Sequence, residues 1–105
     1  MNVSSRLGSL TLHATHSQRV AYNKRFAYNA SKTALNMFTV LLAQELEQTK
    51  IKVNSVHPGW VKTRTGGDAA PLEPAEGASI NLEAAFIDAD GPTGSFFERN
   101  GSLPW

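Results

Sequence analysis

Apolar residues recur along the chain with two different periods, which predict helices in two segments and strands in three. From 28 to 48 the apolar positions fall three and four residues apart, which is the spacing of a long helix. From 73 to 87 a weaker pattern with the same period predicts a second helix. Alternating apolar and polar residues predict a strand at 51–57, and two shorter runs, at 2–5 and 95–97, are also expected to be strands.

The long predicted helix is apolar over much of its circumference. Met37 and Val40 widen its apolar face well beyond a single stripe. A helix of this kind usually packs against more than one neighbour. We therefore expect Met37 and Phe38 to lie in the core or at an interface, and self-association through helix 28–48 is a further expectation.

The elements follow in the order strand, loop, helix, strand, loop, helix, strand, with polar loops at 6–25 and 62–72. The first loop has room for a short helical piece. This order predicts an α/β fold with parallel strands and right-handed crossovers, here the last three strands of a doubly wound sheet with two main helices. Ligands of such sheets bind beyond the carboxyl ends of the strands. Ser5 ends the first strand and Pro58-Gly59 ends the second, so we expect both on the ligand-facing edge.

Composition narrows the function classes. The 105 residues suffice for one small domain, and 41% of them are apolar, as in soluble globular proteins. No apolar run approaches the roughly 18 residues of a membrane span, so we expect no membrane contact. The net charge of +1 does not indicate nucleic acid. The chain has no cysteine, which excludes thiolate chemistry and zinc–sulfur sites and fits a reducing compartment such as the cytoplasm.

The charge is unevenly distributed, because no acidic residue precedes Glu45. A basic first part either attracts an anionic ligand or is a solvated loop with counter-charges elsewhere in the chain, and we favour the second interpretation. His13 and His16 have a spacing that metal ligands use on a helix. No third ligand accompanies them, so we expect no metal site.

Tyr28 and Lys32 are four residues apart at the start of the long helix, so they project from one face of it. A free phenol ionises near pH 10, and an ammonium held close favours the anionic form. A tyrosine tuned in this way gives a proton to a carbonyl oxygen or takes one from an alcohol. The same spacing also arises by chance as a pair on a helix surface, so further motifs must decide between the two.

Three segments provide those further motifs: NVSS at 2–5, YNASK at 28–32 and VNSVHPGWVKT at 53–63. In this order they resemble the short-chain dehydrogenase/reductase family, which has a Rossmann-like fold. The resemblance implies that Ser5 positions the substrate carbonyl and that Tyr28 is the general acid/base. It implies that Lys32 supports the tyrosine and that both bind the nicotinamide ribose. The implied contacts to the nicotinamide carboxamide and the nearby phosphate are Pro58, Gly59, Val61 and Thr63.

The tail of the sequence is similar to the carbonyl-reductase branch of that family, through EPAEGA at 73–78, GPTGSFF at 91–97 and the final Pro-Trp. This resemblance implies reduction of ketones, aldehydes or quinones, or the reverse oxidation of alcohols, with NADP(H) rather than NAD(H). Many members of the branch carry an insertion between the serine and the tyrosine. The polar segment 6–25 corresponds to such an insertion.

Other features of the family are missing from this sequence. It has no Gly-x-x-x-Gly-x-Gly motif, and no Asn-Asn-Ala-Gly segment precedes the serine. We therefore expect residues 1–105 to be the C-terminal catalytic half of such a domain, without the dinucleotide-binding half and inactive alone. The alternative is a non-enzymatic remnant that binds a partner through helix 28–48. Trp60 lines the substrate pocket or is a packing anchor, and the sequence leaves both open.

Overall fold

The computed structural model describes residues 1–21 and 25–105. Strands and helices alternate along the chain as predicted, and a 3₁₀ turn at Arg6–Gly8 follows the first strand. The strands are β1 (Asn2–Val3), β2 (Ser55–His57), β3 (Phe96–Glu98) and β4 (Gly101–Ser102), and the helices are α1 (Leu10–Ala14), α2 (Phe26–Glu45) and α3 (Pro74–Ala85).

The four strands form one sheet in the order β1-β2-β3-β4. β1, β2 and β3 run parallel, with Val3 opposite Val56 and His57 opposite Glu98. The α/β fold with parallel strands is therefore confirmed. β4, which the sequence does not predict, returns antiparallel to β3 after the turn at 99–100.

The predicted strand 51–57 is regular only in its last three residues. Before Ser55 the pairing with the neighbouring segment runs partly through side chains. Val53 N donates to Thr93 Oγ1 at 3.0 Å, and Asn54 Oδ1 accepts from Ser95 N at 3.0 Å. These side-chain bonds replace part of the regular ladder.

The predicted loop 6–25 contains the 3₁₀ turn and α1, and its positions 22–24 lie outside the described residues. Both the 3₁₀ turn and α1 are preceded by a serine whose hydroxyl accepts a hydrogen bond from a backbone N–H. Ser5 Oγ accepts from Leu7 N at 3.2 Å, and Ser9 Oγ accepts from Leu12 N at 3.1 Å. Such caps satisfy donors that a helix start leaves open.

The main apolar cluster lies between this segment and the third strand. Leu12 and Val20 pack against Phe96 and Leu103, and all four are buried. Trp105 stacks on Phe96 with the ring centroids 5.4 Å apart. The segment after Ser5 and the C-terminus are thus held by one core.

α2 contacts the rest of the chain through a small and polar face. Its buried residues are Asn36, Thr39 and Ala43. Thr39 Oγ1 lies 2.8 Å from Ser55 Oγ of β2, and it accepts from Asn2 Nδ2 at 2.9 Å. Small side chains let the helix approach the sheet closely, and hydrogen bonds offset the cost of burying their polar atoms.

The large apolar residues of α2 lie outside this buried face. Met37, Phe38 and Leu41 are 60%, 53% and 56% exposed. The expectation that Met37 and Phe38 lie in a core is therefore wrong within the described chain, and an interface role stays a prediction. In the ranges 1–21 and 25–105 no helix, α2 included, is long and apolar enough to cross a membrane.

α3 begins one residue after Glu73, close to the predicted start, and ends at Ala85. Its first turn forms a capping box, in which Glu76 Oε2 accepts from Glu73 N at 2.9 Å. This hydrogen bond to the charged form lowers the pKa of the Glu76 carboxyl.

Candidate active site

The side chains of Tyr28 and Lys32 meet near the start of α2, beside the carboxyl end of β1. Lys32 Nζ lies 5.7 Å from the centroid of the Tyr28 ring, within the range of cation–π attraction. The same Nζ donates a hydrogen bond of 2.9 Å to the carbonyl of Val3, the last residue of β1. Tyr28 is 38% exposed, so a small molecule can reach its side chain.

Ser5 follows β1 and is buried. Its Oγ accepts a hydrogen bond of 3.2 Å from Leu7 N. A hydroxyl that accepts in this way keeps its own proton to donate, so Ser5 has the hydrogen-bonding capacity to hold a carbonyl oxygen. Ser5 and Tyr28 share no hydrogen bond.

The turn after Ser5 is packed directly on α2 next to Lys32. A Cβ at Gly8 would lie 2.7 Å from the main-chain carbonyl carbon of Lys32, so only glycine permits this approach. Asn36 Nδ2 donates to Gly8 O at 3.3 Å, and Asn36 Oδ1 accepts from Ser4 Oγ at 2.6 Å. Buried contacts thus fix Ser5 relative to Lys32.

A Pro58-Gly59 turn ends β2, as predicted. Gly59 has φ of +92°, a region that favours glycine, and an added Cβ would collide with the side chain of Leu72. The loop 62–72 begins and ends near this turn. Its two ends are joined by a hydrogen bond of 2.8 Å from Lys62 N to Leu72 O.

The other predicted contacts lie in or beside that loop. Val61 pairs with Leu72 in an isolated bridge, and Thr63 Oγ1 accepts from Gly66 N at 3.0 Å. Trp60 is 51% exposed, and its Nε1 donates to Gly66 O at 2.8 Å. This exposure disfavours the packing-anchor alternative for Trp60, and its role in a substrate pocket stays a prediction.

A second group of polar side chains, which we call the edge cluster, connects the carboxyl ends of the three parallel strands. It consists of Arg6, Arg19, His57 and Glu98. Arg6 Nε donates to His57 Nε2 at 2.8 Å, and Arg6 Nη2 donates to Glu98 Oε2 at 3.2 Å. Arg19 Nη2 pairs with the other carboxylate oxygen of Glu98. Counter-charges elsewhere in the chain are thus confirmed for two residues of the basic first part.

The imidazole of His57 is neutral in this arrangement. A guanidinium can only donate, so Nε2 must accept and the ring proton lies on Nδ1. Burial and the positive charges of Arg6 and Arg19 lower the pKa of His57 from 6.5 to about 3. His57 Nδ1 is buried and has no hydrogen-bond partner within the described residues.

Sequence reasoning missed the edge cluster. From the sequence, His57 either faces the active site or is a strand-end residue, and the second interpretation is favoured; Glu98 lies 92 positions from Arg6. The adjacency of Arg6 to Ser5 is the one signal that draws attention to this group. The pairing depends on strand register, which places Glu98 opposite His57.

The hydrogen-bond donors near Ser5 and Tyr28 fit the nicotinamide side of a dinucleotide. An ammonium has three protons, and Lys32 gives one to Val3 O, so two remain for ribose hydroxyl groups. The exposed hydroxyl of Thr63 is not one of these donors, because it donates to Val61 O at 3.4 Å. This donor set suits hydroxyl and phosphate oxygens, which are acceptors.

A family model described as short chain dehydrogenase matches residues 4–73. The match covers the serine, the Tyr28–Lys32 pair and the Pro58-Gly59 turn. The chain belongs to the short-chain dehydrogenase family, as its three motifs predict.

Relatives and solved structures agree with this assignment. Carbonyl reductase (NADPH) 1 of Mus musculus is 34% identical over an alignment of 85 residues, which covers 75% of this chain and 31% of that protein. The carbonyl reductase Sniffer of D. melanogaster has a TM-score of 0.74 at 34% identity, over 98% of this chain and 39% of that one. The NADPH-bound carbonyl reductase from chicken fatty liver has a TM-score of 0.78 at 27% identity, over 98% and 41%. The chain therefore spans about a third of the length of its relatives.

Proposed function

We propose that the chain is the catalytic part of an NAD(P)H-dependent oxidoreductase that reduces a ketone, aldehyde or quinone carbonyl, or oxidises the alcohol in reverse. The position of Lys32 carries the proposal. Its ammonium contacts the Tyr28 ring and is bonded to the last carbonyl of β1, the strand that Ser5 follows. A chance pair on a helix surface would have no reason to anchor its lysine to a strand end.

Reduction adds a hydride to the carbonyl carbon and a proton to the carbonyl oxygen. The Tyr28 hydroxyl gives the proton, and the Ser5 hydroxyl donates a hydrogen bond to the same oxygen. The Lys32 ammonium stabilises the phenolate that remains. Solvent returns the proton to Tyr28, which is accessible.

The cofactor in this proposal is NADP(H) rather than NAD(H). The names of the mouse and chicken relatives support it, because both specify NADPH. When bound, the nicotinamide supplies the hydride. Tyr28 and Lys32 hold the ribose hydroxyl groups, and the residues that hold the nicotinamide and the adjacent phosphate are Pro58, Gly59, Val61 and Thr63.

Residues 1–105 act, in this proposal, as the C-terminal catalytic half of a short-chain dehydrogenase domain. The order of the three motifs supports it, and so does the coverage of 31% of the mouse and 39% of the fly carbonyl reductase. The 105-residue chain alone is then inactive, because the pyrophosphate of a dinucleotide needs a helix N-terminus from the other half. The substrate is a small carbonyl compound or alcohol.

A second candidate function is partner binding through α2 without catalysis. It is favoured by the exposed apolar residues of this helix. Phe26 is 87% exposed, and it lines a groove of about 600 Å³ together with Leu7, Leu10 and Met37. This candidate predicts that Tyr28 and Lys32 are dispensable.

The substitution Tyr28→Phe distinguishes the two candidates. It is made in the full-length form, in which a dinucleotide-binding half precedes residue 1. Because the ring stays and the proton donor is lost, turnover of a carbonyl substrate should fall by roughly 10² to 10⁴. NADPH affinity, measured by calorimetry, should stay within a few-fold.

The matched control is Ser31→Ala. Ser31 Oγ donates to the carbonyl of Tyr28 at 2.7 Å and is exposed, so its loss perturbs the same turn of α2 without removing the phenol. The control should keep its turnover. A Tyr28→Phe enzyme that turns over within a few-fold of its parent would exclude the catalytic assignment.

A further inference from the structure

The edge cluster joins two segments that the proposed chemistry must keep in register. Arg6 directly follows Ser5, and His57 directly precedes Pro58. The hydrogen bond of 2.8 Å from Arg6 Nε to His57 Nε2 therefore connects the turn after β1 to the turn after β2. Backbone pairing between the two segments reaches Ser4, whose N donates to Val56 O at 2.7 Å, so within the described residues the side-chain bond of Arg6 adds a connection one step beyond it.

Glu98 fixes the guanidinium of Arg6 from the third strand. Its carboxylate accepts from Arg6 Nη2 at 3.2 Å and pairs with Arg19 through its other oxygen. Arg6 thus uses two nitrogens of its planar guanidinium for two acceptors on neighbouring strands. A lysine in its place would have a single nitrogen and no fixed geometry.

The cluster borders open space beside the Pro58-Gly59 turn. A cavity of about 360 Å³ is lined by Arg6, His57, Pro58 and Gly59, with Leu72, Glu98, Arg99 and Asn100 completing its wall.

Burial and two guanidinium groups lower the pKa of His57, so its Nε2 remains a hydrogen-bond acceptor at neutral pH. The Arg6–His57 bond is therefore intact where an enzyme of this class works.

We propose that Arg6 is a positioning residue, which through neutral His57 and Glu98 holds the Ser5 hydroxyl in register with the Pro58-Gly59 turn. This inference rests on the proposed function, because it assigns Arg6 a role in presenting Ser5 to the substrate oxygen. Arg6 itself touches neither substrate nor cofactor. Its effect reaches the reaction through Ser5, whose Oγ is oriented by the N–H of Leu7 in the turn that Arg6 begins.

The test is a double-mutant cycle in the full-length form, with Arg6→Gln, Ser5→Ala and the pair. Displacement of a catalytic group by about 1 Å costs up to a hundredfold in rate, so Arg6→Gln alone should lower kcat about tenfold to a hundredfold. In the Ser5→Ala background, where no hydroxyl is left to position, Arg6→Gln should lower kcat less than about threefold, a loss close to the scatter of roughly 0.3–0.5 kcal/mol seen between additive sites. Equal losses in both backgrounds would assign Arg6 a general structural role and overturn the proposal.

Two further variants keep the test decisive. Arg6→Lys retains the positive charge but has a single donor nitrogen, so its kcat should fall between those of the parent and Arg6→Gln. Lys50→Gln removes one positive charge at an exposed position and should leave kcat unchanged. All rates are compared at a temperature where circular dichroism shows each variant folded.

A readout without turnover separates this inference from the proposed function. Arg6→Gln should shift the backbone amide NMR signal of Gly59, which is distant in sequence, whereas Lys50→Gln should not. If this signal moves but no carbonyl compound is reduced with NADPH, the proposed function fails while Arg6 still connects the two turns. If it does not move, the positioning role fails whatever the activity.

Discussion

The ammonium of Lys32 donates a hydrogen bond of 2.9 Å to the backbone carbonyl of Val3, across 29 positions of sequence. This bond joins the start of α2 to the carboxyl end of β1. It also holds the charge 5.7 Å from the centroid of the Tyr28 ring. The hydrogen bond to Val3 O thus fixes the position of the long and otherwise flexible Lys32 side chain.

Replacement of Lys32 by methionine should affect both rate and cofactor binding. Methionine keeps the length of the side chain and loses the charge and all three donors. A hydrogen bond to a charged group contributes about 1.5–3 kcal/mol, so NADPH affinity of the full-length form should fall roughly tenfold to a hundredfold. Calorimetry with Lys32→Met and Tyr28→Phe side by side checks this. Equal NADPH affinity in the two variants would contradict the ribose contact.

Asn36 should be needed for stability although it lies in a helix interior. It accepts from Ser4 Oγ at 2.6 Å and donates to Gly8 O at 3.3 Å, and it is buried. Asn36→Leu removes the acceptor of the buried Ser4 hydroxyl, at about 1–3 kcal/mol if that group stays unpaired, whereas Gly8 O keeps the hydrogen bond of 3.0 Å from Thr33 Oγ1. Urea unfolding of the full-length form measures the loss, with the exposed Ser31→Ala as control. A change below about 0.5 kcal/mol, the usual range for surface sites, would show that water replaces the amide.

The sequence was sufficient for the order of three parallel strands and two main helices, but not for α1 or β4. The apolar periods locate the predicted elements within a few residues, and the three family motifs point to Ser5, Tyr28 and Lys32 as candidates. Each of these signals is local, because it depends on residues within one turn or one strand. The match to the short chain dehydrogenase model rests on the same segments.

The buried face of α2 could not be predicted, because hydrophobicity points to the wrong side of this helix. Asn36 and Thr39 face the rest of the chain, where hydrogen bonds satisfy them, while Met37 and Phe38 are exposed. The pairing of Arg6 with Glu98 was equally hidden. It depends on the register of β2 against β3, which no local pattern determines.

His57 should make the stability of the folded state fall at acid pH. In the folded state its pKa is lowered from 6.5 to about 3 by burial and by the charges of Arg6 and Arg19. Between these values the unfolded chain binds a proton and the folded chain does not. Stability therefore falls as pH decreases from 6.5 towards 3, by about 1.4 kcal/mol per pH unit.

The variant His57→Gln isolates this effect, because glutamine keeps an acceptor for Arg6 and does not titrate. Arg6 and Glu98 are present in both proteins, so the comparison isolates position 57. The unfolding free energy of the parent should drop relative to the variant by about 2 kcal/mol between pH 6.5 and pH 5. Urea unfolding at both pH values supplies the comparison. A constant difference between the two proteins would show that His57 is charged in the folded state.

The loop 62–72 should close over bound cofactor while its base stays fixed. Val61 pairs with Leu72 at the base, and Gly67 within the loop has φ of +76° with no atom close to an added Cβ. Loops of this kind often act as lids over closed sites. Hydrogen exchange of the full-length form should show increased protection at 63–71 when NADPH is added, and little change at Lys62, whose N–H is bonded to Leu72 O. Equal protection with and without NADPH would count against a lid.

The 105-residue chain alone should be at best marginally stable and should self-associate through α2. Parallel strands require cover on both faces, and β1 has a hydrogen-bonded neighbour on one side only within the described residues. Met37, Phe38 and Leu41 form an exposed apolar surface on α2, and such surfaces drive association.

Light scattering of the isolated chain should therefore give a mass above that of a monomer. Replacing Phe38 with glutamate should lower that mass, because burial of a charge at a contact is costly. Leu82→Glu is the matched control, since Leu82 is 59% exposed but lies on α3, and it should leave the mass unchanged. Calorimetry should detect only very weak NADPH binding, because the contacts proposed for Lys32 and Thr63 involve only the nicotinamide side of the dinucleotide, and the proposed half lacks a pyrophosphate site. A monomer that unfolds in one sharp transition and binds NADPH in the micromolar range would show that residues 1–105 suffice for folding and cofactor binding, and the division into two halves would then be wrong.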